Sequence, residues 1–186
     1  MSNEDTVLKE AYSSFSQRLS FNDFQNKINL KTLGTDKWNF ARAVQQFQEA
    51  IKYEESNPDL EIALLCSCAE ALQLEKTSLK RFKEFYLRYC PSNLRTSPIK
   101  YYPNGKVPEI TAPFGKALEF IYRQLRSVYI HEGTEHLKPE PIRNGIFGDV
   151  IRNKDGTKDF YFFDKMKTLE WFRQITFESL YVMLTK

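Results

Sequence analysis

Apolar residues recur at three- and four-residue steps along most of the chain, which predicts a largely helical protein. Within residues 1–20, Val7, Leu8, Ala11, Phe15 and Leu19 keep that spacing, and Asn3 or Asp5 can cap the helix they define. Residues 21–36 scatter Phe21, Phe24, Ile28 and Leu30 among polar positions and end at Gly34-Thr35-Asp36, so they read as a connector closed by a turn. From Asp36, a candidate N-cap, Phe40, Val44, Phe47 and Ile51 predict a helix that ends at the polar run Glu54-Glu55-Ser56. Asn57-Pro58 opens another, with proline in the first turn where its missing N–H costs nothing. Leu60 to Leu74 is apolar nearly all round, with Glu61, Glu70 and Gln73 as its main polar exceptions, and so reads as the central helix of a bundle. Ser78 to Tyr89 follows, carrying Phe82, Phe85, Tyr86 and Tyr89, and Cys90-Pro91 closes it.

The second half changes period twice. Residues 91–112 contain four prolines and a Pro-Asn-Gly turn, which predicts a long surface loop. Ala117 to His136 then reads as one amphipathic helix, with Leu118, Ile121, Leu125, Val128 and Tyr129 facing the core and Gly133 as a stop. Ile146–Ile151 and Asp159–Phe163 flank Asn153-Lys-Asp-Gly156, the pattern of a β-hairpin. Asp164 can cap a last helix whose Leu169, Phe172, Ile175, Leu180 and Met183 point inward. The expected fold is all-α: a bundle of five or six helices with a small β-hairpin appendage at about 146–163. Residues 1–36 form an N-terminal helix and connector, and residues 37–186 form the bundle.

Composition narrows the class. At 186 residues, 41% hydrophobic and 15% aromatic, the chain can bury a substantial core. No apolar run approaches the roughly 20 residues that span a bilayer, and Met1-Ser-Asn-Glu-Asp-Thr6 has neither a basic flank nor a signal core. This reads as a soluble cytoplasmic protein with no membrane partner. Cys66, Cys68 and Cys90 are odd in number, and two sit in the most apolar segment; with only two histidines, no spacing suggests a disulfide, a metal site or a bound cofactor. Net charge is only +3, but between Lys76 and Lys106 eight Lys or Arg face one acidic residue, Glu84, with six aromatics interleaved. Such a stretch can attract phosphates and stack bases, and it equally fits a core helix with a solvated basic face.

The chemistry-bearing feature is Arg126 and His131 at the end of the amphipathic helix. The segment Ile121-Tyr-Arg-Gln-Leu-Arg-Ser-Val-Tyr-Ile-His-Glu-Gly133 resembles the Arg-Ser-x-x-x-His-Gly-like signature of HEPN domains, nearest their Apea-like branch. Cys68-Ala-Glu-Ala-Leu-Gln-Leu74 is similar to that branch's earlier core helix, so the resemblance covers roughly residues 40–136. It departs from the pattern in having Ser127 where asparagine is commoner and Glu132 between His131 and Gly133. No tyrosine stands two places after His131, so likeness to the toxins silenced at that tyrosine is not supported.

The resemblance implies a helical bundle that homodimerises through its motif helices into a composite cleft. It also implies, for many members, a metal-independent endoribonuclease of an antiviral-defence or toxin-like system, with RNA as substrate and a protein antitoxin or defence partner as regulator. In RNA cleavage the 2′-OH is the nucleophile, so a site needs proton transfer and charge stabilisation. His131 is suited to proton transfer near neutral pH. Arg126 can clamp the phosphate, Ser127 can add a hydrogen bond, and Glu70 can orient the imidazole if the core helix passes close by. On a regular helix residues five apart point about 140° from each other. Arg126 and His131 therefore share one phosphate only through a bent side chain, a distorted last turn or a second subunit. Arg123, Ser127 and His131 lie on one stripe, which makes Arg123 a serious candidate for the phosphate beside Arg126. The alternative reading is a non-catalytic nucleic-acid or protein-binding module. A purely structural subunit of a larger complex is a third.

Overall fold

The computed structural model describes residues 3–30, 37–53, 56–72, 79–105, 109–126 and 146–186. The helix read as central is central. α4 (Pro58–Ala71) starts where Asn57 Oδ1 accepts the Leu60 N–H at 3.1 Å, with proline in the first turn. It packs against α3 (Lys37–Ile51), α5 (Leu79–Tyr89) and the last helix, α7 (Lys165–Thr185). Ala41, Ala43 and Ala50 of α3 and Ala63, Cys66 and Ala69 of α4 are all buried, and such small side chains let two helices lie close along their length. α7 is capped by Asp164, whose carboxylate accepts the Lys167 N–H at 3.0 Å. It crosses the core with Phe172, Ile175 and Leu180 fully buried. Two of its polar side chains find partners there: Thr176 meets the Tyr86 hydroxyl at 3.0 Å, and Trp171 Nε1 donates to the Leu94 carbonyl at 3.0 Å.

Residues 21–30, read as connector, are helical. After α1 (Asn3–Ser13), α2 (Phe21–Leu30) begins at Ser20, whose hydroxyl accepts the Asp23 N–H at 3.1 Å and donates to the Asp23 carboxylate at 2.6 Å. This Ser-x-x-Asp cap was visible in the chain, as were Phe24 and Ile28 four apart, both of which are buried. The Phe15 ring stacks on Phe24, Phe40, Phe177 and Tyr181, which ties α1 and α2 into the same core as α3 and α7.

The all-α expectation is overturned. Seven α-helices and a four-stranded antiparallel sheet stand among the described residues, so the protein is mixed α and β rather than a bundle with a hairpin appendage. The hairpin itself forms: β3 (Ile146–Arg152) pairs with β4 (Lys158–Asp164) around a turn in which Gly156 has φ 83° and Asn153 N donates to Thr157 O at 2.8 Å. What the proline-rich stretch conceals is β1 (Lys100–Tyr102) and β2 (Ile110–Thr111), which extend the sheet in the order β2-β1-β4-β3. Strands of three and two residues are too short to show alternation, and prolines at 98 and 103 bracket β1, so turn chemistry outweighs strand pattern there. Their pairing is non-local, with Tyr101 opposite Tyr161.

The sheet's inner face rests on α6 (Phe114–Phe120). Phe120 stacks on Tyr161 at 4.6 Å and meets Phe163 edge-on at 5.1 Å. α6 runs on into a π-helical stretch, Ile121–Arg126, which packs on α4.

Candidate functional site

Within the described part of the predicted amphipathic helix, the chain is α-helical to Phe120, and Ile121–Arg126, the six residues that open the motif, form a π turn. In an α-helix Ile121 and Arg126 would point about 140° apart. The wider i→i+5 turn of a π helix narrows that angle, and so brings Arg126 toward the side on which Ile121 is fully buried. The Arg126 side chain is only 13% exposed, its Nη2 lies 2.7 Å from Glu70 Oε1, and its guanidinium covers the Tyr122 ring at 4.8 Å. Glu70, in the last turn of α4, is equally withdrawn from solvent. The contact is a close ion pair without good hydrogen-bond alignment, and Arg126 Nε has no hydrogen-bond partner among the described residues.

This buried charge pair perturbs its neighbours. Burial pushes the Tyr122 phenol up; Arg126 opposes that rise, and the Glu70 carboxylate adds to it by charge and hydrogen bond. One turn earlier on α4, the Cys66 thiol is pushed well up by burial and further by Glu70, against the pull of Arg126. All three cysteines are free and buried, so Cys66 is a packed hydrophobe rather than a nucleophile.

The other motif residues divide. Arg123 lies on the outer side of the π turn, 46% exposed, with its Nε 3.2 Å from Glu119, which Lys83 also approaches at 3.8 Å. Ser127 and His131 lie outside the described residues. The structure therefore brings Glu70 and Arg126 together and holds Arg123 on a separate pair with Glu119; the expected contact of Glu70 with the His131 imidazole lies outside the described residues.

A second polar centre escaped the reading of the chain. Asp159 of β4 is almost fully buried, accepting the Asn104 N–H at 3.1 Å and the Lys116 ammonium at 3.1 Å. Burial works to raise its carboxyl, but hydrogen bonds from Asn104, Asn153, Lys116 and Tyr101 together hold it below the ordinary range. The same contact fixes Asn104 in the left-handed region, at φ 54°. This cluster ties the end of β1, α6 and β4 together, and its donors saturate the carboxylate. The available signal was parity: Asp159, Tyr161 and Phe163 share one strand face, so a charge stood among inward-pointing aromatics.

In the basic aromatic stretch most of the rings belong to the core. Phe82, Phe85, Tyr86, Tyr89 and Tyr101 are all buried, so five of its six aromatics are core and offer no stacking surface. Two of its described cations are engaged locally: Arg95 donates to the carbonyls of Leu87 and Cys90 at 2.8 and 2.9 Å, and Lys100 approaches Glu109 at 3.3 Å. Among the described residues no helix is long and apolar enough to cross a membrane. Compared with protein-family models, curated proteins and solved structures, the chain finds no match.

Proposed function

We propose that the chain is a HEPN-type, metal-independent endoribonuclease of a defence or toxin-like system, with His131 transferring the proton and Arg123 contacting the scissile phosphate. The observation that carries this reading is the meeting of Glu70 and Arg126 at 2.7 Å, because the two stretches that resemble the family, 68–74 and 121–133, are thereby in contact. A π turn opening the motif helix supports it too, since such turns recur at functional sites.

The same pair reassigns the roles. Withdrawing a buried guanidinium from its carboxylate costs several kcal/mol, whereas Arg123, whose side chain is 46% exposed beside a part-buried Glu119, gives up its pair at a cost of about 1 kcal/mol. A phosphate therefore displaces Glu119 far more readily than Glu70. Arg126 is a positioning residue, and Arg123, the exposed arginine of the motif, makes the phosphate contact. His131 takes the 2′-OH proton and returns one to the departing 5′ oxygen, in one subunit or across a homodimer.

The experiment is cleavage of a mixed single-stranded RNA by the purified protein, with and without EDTA. Wild type is expected to cut in both. His131→Ala should abolish cutting, and Arg123→Ala should lower it about a hundredfold or more, with folding intact. Activity that survives His131→Ala rules the reading out.

A second reading, the non-catalytic binding module, is favoured by the engagement of Arg126 with Glu70. RNA binding without product at any salt concentration would establish it.

A further inference from the structure

The outer face of the sheet carries residues that the fold does not use. Along β4, side chains alternate: Asp159, Tyr161 and Phe163 go inward, and Phe160 and Phe162 go outward, both only part-buried. Register sets Tyr102 of β1 beside Phe160 and Val150 of β3 on its other side. Tyr102 meets Phe162 edge-on at 5.2 Å, so three rings share one face, two of them about 7 Å apart along a single strand. At the hairpin end of the same face Arg152 and Lys158 are direct cross-strand partners. Both are exposed, and neither has an acidic partner among the described residues.

Like charges opposite one another destabilise a sheet, so this pair is a cost unless an anion sits between them. The acids near the face are occupied: Glu109 accepts from the Tyr102 hydroxyl at 2.6 Å and faces Lys100, and Asp164 caps α7. A ligand that presents flat apolar surfaces at regular intervals, joined by negative charges, fits rings and cations so arranged. We infer that the outer face of the four-stranded sheet binds a single-stranded nucleic acid, bases stacking on Tyr102, Phe160 and Phe162 and phosphates lying over Arg152 and Lys158. A protein surface seated on Val150 and the rings would leave the two cations unanswered. This site lies on a different element from the motif helix and does not depend on cleavage.

The test is fluorescence anisotropy with labelled oligo-U and oligo-dT of about 12 nucleotides, a length within the usual site size for such surfaces. The full chain carries His131→Ala, which prevents any cutting of the RNA. Arg152→Glu with Lys158→Glu, both on the exposed rim, should weaken binding at least tenfold. For two lost phosphate contacts this change should also flatten the logarithmic salt slope by about 1.4. Phe160→Ala should weaken binding about tenfold while leaving the slope unchanged, with circular dichroism verifying the fold. Equal affinity for both oligomers supports a site for single strands in general, and preference for oligo-U adds contact with the 2′-OH. Absence of binding at low salt, or affinity unmoved by the rim reversals, overturns the inference, as does a stable dimer sealed through this face.

Discussion

At the scale of single residues, burial separates arginines that look alike in the chain. Arg123 and Arg126 stand three apart in one motif, yet one is solvent-facing and the other is locked to Glu70. Glu70→Ala removes the carboxylate and leaves a guanidinium in a withdrawn site, which should cost about 3 kcal/mol in urea unfolding. Arg123→Ala should cost about 0.5 kcal/mol, so the two substitutions split stability from RNA cleavage. Asp159 supplies a pH handle. Its folded-state carboxyl lies below the unfolded value of about 3.9, so the unfolded chain takes up the proton first as pH falls. The stability it contributes is complete above that unfolded value and drains away as pH drops through the folded one. Asp159→Asn should therefore be most destabilising near neutrality, and its deficit should shrink in urea melts run at increasingly acid pH.

At the scale of elements, what was legible depended on length and on chemistry at the ends. α4 and α7 could be placed from Asn57 and Asp164 plus sustained apolar spacing, and both caps hold in the fold. Asp164→Ala should lower stability by about 1 kcal/mol, or the melting temperature by about 2–4 °C, in thermal denaturation followed at 222 nm. α2 was legible in principle, through Ser20 and Asp23, but its ten residues hold few apolar positions. β1 and β2 were not, since strands this short owe their existence to partners elsewhere rather than to their own pattern. The π turn was equally hidden: residues 121–126 have ordinary helix-forming composition, and only packing on α4 shows which way Arg126 faces. The candidate site was thus readable as a set of residue types, whereas its division of labour required the third dimension. Arg126 with Glu70 illustrates this, as does Asp159.

At the scale of the whole molecule, the helical layer and the sheet are built from contacts of different reach. α3 and α4 are consecutive and bury one another with little intervening chain. β1 finds its neighbour only after the chain has passed through α6, the motif and β3, as the Tyr101 and Tyr161 pairing shows. Residues 3–30 also contribute to the common core, through Phe15 and Phe24.

That sheet register has a kinetic consequence. Bringing Tyr101 to Tyr161 closes a long loop before any pairing energy is returned, whereas helix contacts form locally on the microsecond scale. In stopped-flow refolding, far-ultraviolet ellipticity should recover ahead of the near-ultraviolet signal of the stacked Phe120 and Tyr161 rings, and a single shared rate would contradict it. During that interval the helices would be assembled while the edge of β4 that β1 later covers remains unpaired, the state in which a newly made chain is most open to wrong association.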